Sequence, residues 1–282
     1  MDRFAPTNGI QIHYLDTGGD GEPLVLLHGL TANAHFFDAL VDDGLGDRFR
    51  VISIDLRGRG LSDKPTTGYS IDKHVDDVIG LLDHLGLDTV HLGGHSFGGL
   101  LVFHLAANHP DRFRTCVVLD APAGISPTVA EQVKPSLARL DVTLPSFDAY
   151  LEAIRAQPYY GEWWDPRMEA YFRADVEAFE DGSVRPRSTS AIIGEVIEAA
   201  VTTDWFGFMH DVRARTLFVR ATGPYGPPGS PPICQEDAAK LTMGALPDAR
   251  MVEVDGNHMT AFFGDGASKV ALAISTFLQE AS

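Results

Sequence analysis

The chain is short of cysteine and of positive charge. Its two cysteines, Cys116 and Cys234, cannot build a disulfide framework and suit a reducing compartment. Lysine and arginine number 22 against 39 acidic residues, for a formal net charge of −17. Nucleic-acid binding needs a basic footprint, so no such partner is expected. An anionic membrane surface is disfavoured for the same reason. No apolar run is long enough to span a bilayer, and the start "MDRFAPTNGI" lacks the apolar stretch of a secretory leader. A cytoplasmic protein with no membrane partner is therefore expected. There is no H-E-x-x-H, no C-x-x-C and no Walker lysine, so neither a metal nor an organic cofactor is expected. What remains is ordinary globular composition, and 282 residues allow one large domain or two small ones, with a sizeable core.

Short apolar runs alternate with helical patterns through the first 120 residues. "IQIHY" (10–14), "LVLL" (24–27), "VISI" (51–54), "VHL" (90–92) and "CVVL" (116–119) have the character of strands. The last four carry the two-faced apolar character of a parallel sheet. Between the third and fourth, Ile71, Val75, Val78, Ile79, Leu82 and Leu85 fall on one helical face, with Ser70 as N-cap and Gly86 just past the end. This alternation predicts an α/β fold with a mostly parallel central sheet flanked by helices. From about 122 to 210 no convincing strand is seen, only helices separated by prolines at 127, 135, 145, 158, 166 and 186. The α/β pattern returns with "TLFVRA" (216–221), a helix near 236–246, "MVEV" (251–254) and a last helix near 267–278. Residues 1–121 and 211–282 are expected to form the core, and 122–210 a helical insertion.

The stretch "HLGGHSFGGLLVFHLA" brackets one serine with glycines. Gly94, Ser96 and Gly98 read G-x-S-x-G between a strand and a helix. A turn that tight presses the backbone before the serine onto the backbone after it, so side chains at 94 and 98 would collide. The turn lifts the Ser96 hydroxyl above the sheet and aims the N–H of Phe97, at a helix start, toward a developing negative charge. Serine needs a base. His258 stands in a glycine-containing loop after the last strand, on the sheet edge that Ser96 occupies. In "HGLTANAHFF" (28–37), Gly29 lets the loop approach, and the N–H of Leu30 would be the second oxyanion donor. His28 is expected to brace this loop, and Asp55 and Arg57 to pin the loop after "VISI".

"LLHGLT", "DLRGRGLSD", "GGHSFGG" and "DGNHM", in this order, resemble the α/β-hydrolase superfamily, and in particular its capped esterases, lactonases and C–C hydrolases. The resemblance runs from about Ile10 to the C-terminus. It implies Ser96 as nucleophile, His258 as base, and Leu30 and Phe97 as oxyanion donors. Haloalkane dehalogenases and epoxide hydrolases carry Asp where this chain has Ser96, so they are disfavoured. The family's usual acid slot falls near Ser230–Pro231, yet no carboxylate lies from Thr222 to Pro232. Some members place the acid at the end of the preceding strand, where this chain has Asp120. Asp120 is therefore expected to partner His258, with Glu236 and Asp237 merely complementing a helix dipole.

The resemblance makes 122–210 a cap. It holds 12 of the 26 aromatic residues, an excess that suggests an apolar pocket roof. Tyr159, Tyr160, Trp163, Trp164, Trp205, Phe206 and Phe208 are its expected lining. The expected chemistry is two-step acyl transfer on a small-molecule ester or lactone with an apolar acyl or aryl group. The alternatives are hydrolysis of a ring-cleavage diketone, cofactor-free haloperoxidase or perhydrolase activity, and a ligand receptor on the same fold.

Overall fold

The computed structural model describes residues 2–124, 127–161 and 163–280. In chain order the strands are β1 (Asp2–Thr7), β2 (Ile10–Asp16), β3 (Glu22–Leu27), β4 (Phe49–Ile54), β5 (Val90–His95), β6 (Phe113–Leu119), β7 (Val176–Ala178), β8 (Val184–Pro186), β9 (Arg215–Ala221) and β10 (Ala249–Val254). Eight of them form one sheet in the order β1-β2-β4-β3-β5-β6-β9-β10. β1–β2 and β2–β4 pair antiparallel, and every later pair is parallel. The mostly parallel sheet is as expected. β1 was not anticipated: its pattern "DRFAPT" mixes charge and proline, and only Ala5 and Thr7 are buried.

The helices are α1 (Asp38–Leu40), α2 (Ile71–His84), α3 (Phe97–Asn108), α4 (Pro127–Leu137), α5 (Phe147–Arg155), α6 (Arg167–Asp175), α7 (Ser190–Thr202), α8 (Trp205–Met209), α9 (Glu236–Ala245) and α10 (Gly264–Gln279). The apolar stripe of α2 faces the sheet, and the Ser70 hydroxyl accepts from Lys73 N–H as an N-cap should. α3 is apolar all round, and Phe97 to Ala106 are buried, so it lies between the sheet and α8 rather than at the surface.

Two expectations for 122–210 need correction. β7 and β8 pair as a short antiparallel hairpin, and Leu144 bridges to Val184. Three-residue strands are too short to show a period-2 pattern. Pro135 does not separate helices but lies inside α4. Val196, Ala200, Trp205 and Met209 share one buried cluster with α2, α3 and the sheet.

Candidate active site

The turn from β5 into α3 is a backbone crossing. A Cβ on Gly94 would stand 2.3 Å from Gly98 O, and one on Gly98 would stand 2.1 Å from Leu27 O. Only glycine fits at either place. Ser96 between them has φ +54° and ψ −120°, a strained conformation for a residue with a side chain. The crossing is tied on both sides: Ser96 N–H donates to Leu119 O at 3.0 Å, and Leu100 N–H donates to Ser96 O at 3.1 Å.

Asp120 follows β6 immediately and is also at positive φ, +49°. Its Oδ1 accepts from Ala221 N–H at 3.0 Å, at the end of β9. Its Oδ2 accepts from His258 Nδ1 at 2.7 Å. Both side chains are almost wholly buried. A proton held at Nδ1 leaves Nε2 as the acceptor nitrogen. Ser96, Asp120 and His258 all border one cavity of about 360 Å³, together with Leu30 and Phe97.

His258 arrives there because the loops after β9 and β10 press together. Gly223 N–H donates to Gly256 O at 2.7 Å, and a Cβ on Gly223 would lie 2.7 Å from that oxygen. Gly256 sits at φ +98°. The Asn257 carboxamide oxygen then accepts from the N–H groups of Met259 and Thr260, both at 3.0 Å, closing the turn around His258. The 222–232 loop brings no acid. It brings Tyr225, whose ring stands edge-on to His258 at 5.6 Å and stacks on Tyr159 at 4.4 Å. Glu236 pairs with Lys240 on the exposed face of α9.

The loop carrying Leu30 is braced from below. His28 Nδ1 donates to Gly29 O at 2.7 Å, and its Nε2 accepts from Leu56 N–H at 3.0 Å. Burial pulls this histidine down to about 4, so it stays neutral. The buried Asp55 accepts from Ala34 N–H, Leu61 N–H and His13 Nδ1 at 2.7, 2.8 and 2.7 Å, and Arg57 pairs with Asp77. Phe97 is the first residue of α3, so its N–H has no intrahelical acceptor.

The expected aromatic lining is mostly elsewhere. Tyr159 and Tyr160 border the cavity; Trp163, Trp164, Trp205, Phe206 and Phe208 do not. Trp205 is buried, its indole N–H donating to Ala200 O at 2.8 Å, so it glues α8 to α7. Phe206 packs half-buried on the core, and Phe208 lies 4.4 Å from the His104 ring. Trp164 stacks on Phe172 and carries the Arg155 guanidinium, while Trp163 is 38% exposed. Both tryptophans face an outer groove, on the far side of Tyr159 and Tyr160. Short helices in a proline-rich segment have no long periodic face, so sequence could not tell inner from outer aromatics.

Several lining residues were missed. His95 is buried, its Nε2 donates to His258 O at 2.9 Å, and its ring lies 4.5 Å from that of His258. Burial and the neighbouring His258 hold His95 neutral, well below its ordinary range. Tyr171, Tyr225, Thr31 and Arg139 form a polar end of the cavity. Arg139 Nη2 donates to Thr31 O at 2.9 Å, and Nη1 lies 2.9 Å from Asp175. Nothing local in "SLARLDV" marks Arg139 as inward-facing. Among the described residues, no group of His, Cys, Asp and Glu is arranged to hold a metal, and no helix is long and apolar enough to cross a membrane.

Residues 22–265 match the model of the alpha/beta hydrolase fold. The chain belongs to the α/β-hydrolase family. It is 30% identical over 243 residues to the 2-(acetamidomethylene)succinate hydrolase of Mesorhizobium japonicum, covering 84% of this chain and 81% of that one. A crystal structure of E-2-(acetamidomethylene)succinate hydrolase superposes with a TM-score of 0.83 over 99% of both chains, at 26% identity. The enol-lactonase of Burkholderia xenovorans superposes at 0.76 over 98% of this chain and all of that one. At 22% identity, that likeness speaks for the fold alone. This α/β-hydrolase thus shares its architecture with enzymes of different named substrates, so its own substrate has to be argued from its cavity.

Proposed function

We propose that this α/β-hydrolase is a serine hydrolase cleaving a carboxylic ester or lactone through an acyl-enzyme. The observation that carries the proposal is the 2.7 Å contact from His258 Nδ1 to Asp120, in the cavity that Ser96 borders. His258 Nε2 takes the Ser96 proton as Oγ attacks the carbonyl. The oxyanion lies before the N–H groups of Leu30 and Phe97. The imidazolium returns the proton to the leaving alcohol, and water repeats the attack on the acyl group. Residues 122–210 act as a cap over the pocket, with Tyr159 and Tyr160 as its inner wall. Leu100, Val129, Val133, Leu137 and Val201 suit an apolar acyl or aryl group.

A second reading is hydrolysis of an acylamide that bears a carboxylate. The named substrate of the Mesorhizobium relative favours it, as does Arg139 in the cavity wall. The Asp175 carboxylate beside Arg139 weighs against it.

The test combines Ser96→Ala with a fluorophosphonate probe and a panel of esters, lactones and acylamides. Ala fits the turn at least as easily as Ser, so the variant should fold, lose turnover and stay unlabelled. Substantial turnover by purified Ser96→Ala would reject the proposal. A receptor on this fold would leave wild-type Ser96 unlabelled.

A further inference from the structure

Arg59 is fully buried and touches both residues assigned as oxyanion donors. Its Nε donates to Leu30 O at 3.0 Å, and its guanidinium lies over the Phe97 ring, 5.5 Å from the centroid. Its Nη1 donates to Arg57 O at 2.6 Å and to His74 Nε2 at 2.8 Å. His74 donates from Nδ1 to Ser70 O at 2.8 Å, so its Nε2 is an acceptor and the ring is neutral. The His74 ring stands edge-on to Phe97 at 5.3 Å. Arg59 Nη2 has no partner.

Every group bonded to this cation is neutral. The charged neighbour is Arg57, of the same sign, and Tyr69 nearby is a phenol whose pKa burial raises. The other inward-reaching arginines each meet a carboxylate: Arg57 meets Asp77, Arg139 meets Asp175, and Arg220 meets Glu253. Burial pulls Arg59 down only to about 9, so it is charged at neutral pH. A buried cation without a counter-ion is costly in the resting state. That cost falls only when negative charge appears nearby, and in a serine hydrolase negative charge appears at the oxyanion.

We propose that Arg59 is a positioning residue of the oxyanion hole. Its Nε–H and its planar face hold Leu30 and Phe97 as one rigid pair. Its uncompensated charge favours the tetrahedral oxyanion over the neutral carbonyl. This rests on the serine-hydrolase proposal above.

The experiment uses the full chain, p-nitrophenyl butyrate, an alkyl trifluoromethyl ketone and the matching methyl ketone. Ser96 Oγ adds to the trifluoromethyl ketone, its proton passes to His258, and the product carries an oxyanion; the methyl ketone binds as a neutral carbonyl. Arg59→Gln should lower kcat by roughly tenfold to a hundredfold, with KM within about twofold. Affinity for the trifluoromethyl ketone should fall by the same factor, and affinity for the methyl ketone should hold. Arg59→Lys, which keeps the charge, should lose less. His74→Glu supplies Arg59 with a counter-ion without deleting it. It should hold or raise the melting temperature and still lower kcat and trifluoromethyl-ketone affinity together. A purely structural role predicts an equally stable His74→Glu protein but with wild-type kcat and trifluoromethyl-ketone affinity, and that result would overturn the proposal even if Arg59→Gln fails to fold. Full turnover by Ser96→Ala would instead remove the serine-hydrolase proposal, and this one with it.

Discussion

Asp120 does two jobs with two oxygens. Oδ1 holds the end of β9 through Ala221 N–H, and Oδ2 holds His258 Nδ1. An amide at this position can keep the first bond with its oxygen. Toward His258 it then presents an NH₂ group, a donor facing a nitrogen that must itself donate. The imidazole is driven to the other tautomer, and in the proposed mechanism Nε2 could then not take the Ser96 proton. Asp120→Asn should therefore fold normally and lose several powers of ten in kcat, with little change in KM. Glu236→Gln and Asp237→Asn, exposed in the first turn of α9, should be nearly silent. Steady-state kinetics on the three purified variants decides the matter. Equal losses from Asp120→Asn and Glu236→Gln would count against this role for Asp120.

At the scale of elements, α4 and α7 supply the aliphatic side of the cavity through Val129, Val133, Leu137, Ile197 and Val201. Tyr159, Tyr160, Tyr171, Tyr225 and Arg139 also line the cavity. An acyl chain laid along the aliphatic side loses one contact patch with each carbon removed. Shortening the chain of a test ester should lower kcat/KM in steps of roughly tenfold or less per methylene. Hydrolysis rates across an acetate-to-hexanoate series measure this. A flat profile, or a preference for charged acids, would remove the apolar-acyl proposal and turn attention to Arg139.

Across the whole molecule, neutral histidines are built into the core. Burial lowers His28 to about 4 and holds His74 and His95 well below their ordinary range. Their unfolded values lie near 6.5, so between 6.5 and the folded value the unfolded chain binds more protons than the native one. Stability should then rise with pH across that window and fall on acidification, by about 1.4 kcal/mol per pH unit for each such histidine. His35, raised by its hydrogen bond to Asp38, acts in the opposite sense. Relief of repulsion in a chain of net charge −17 also opposes the loss, but it sets in nearer the carboxylate range. Urea unfolding midpoints should hold level from pH 7.5 to about 6.5 and then decline toward pH 4.5. A level profile would show that these histidines are not neutral when buried.

Some of this was written locally. Strands β2 to β6, β9 and β10 carry runs of apolar residues, and α2 carries a stripe with its caps. Each is dictated by burial along a few consecutive residues. The crossing at Gly94 and Gly98 was equally legible, because a steric demand within five residues leaves only glycine. Asp120 was reached through the family resemblance: the usual acid slot between Thr222 and Pro232 is empty, and some members place the acid at the end of the preceding strand. What "SLARL", "PYYGEWW" and "DWFGF" do could not be read that way. Whether Arg139 turns inward, Trp163 outward or Trp205 into the core depends on which helix packs against which, and that is set by contacts across distant parts of the chain. The same holds for Arg59. Its sequence neighbours, Arg57 and Asp55, are charged, but only the tertiary contacts that give Asp55 to His13, Ala34 and Leu61 and Asp77 to Arg57 leave this cation with neutral partners.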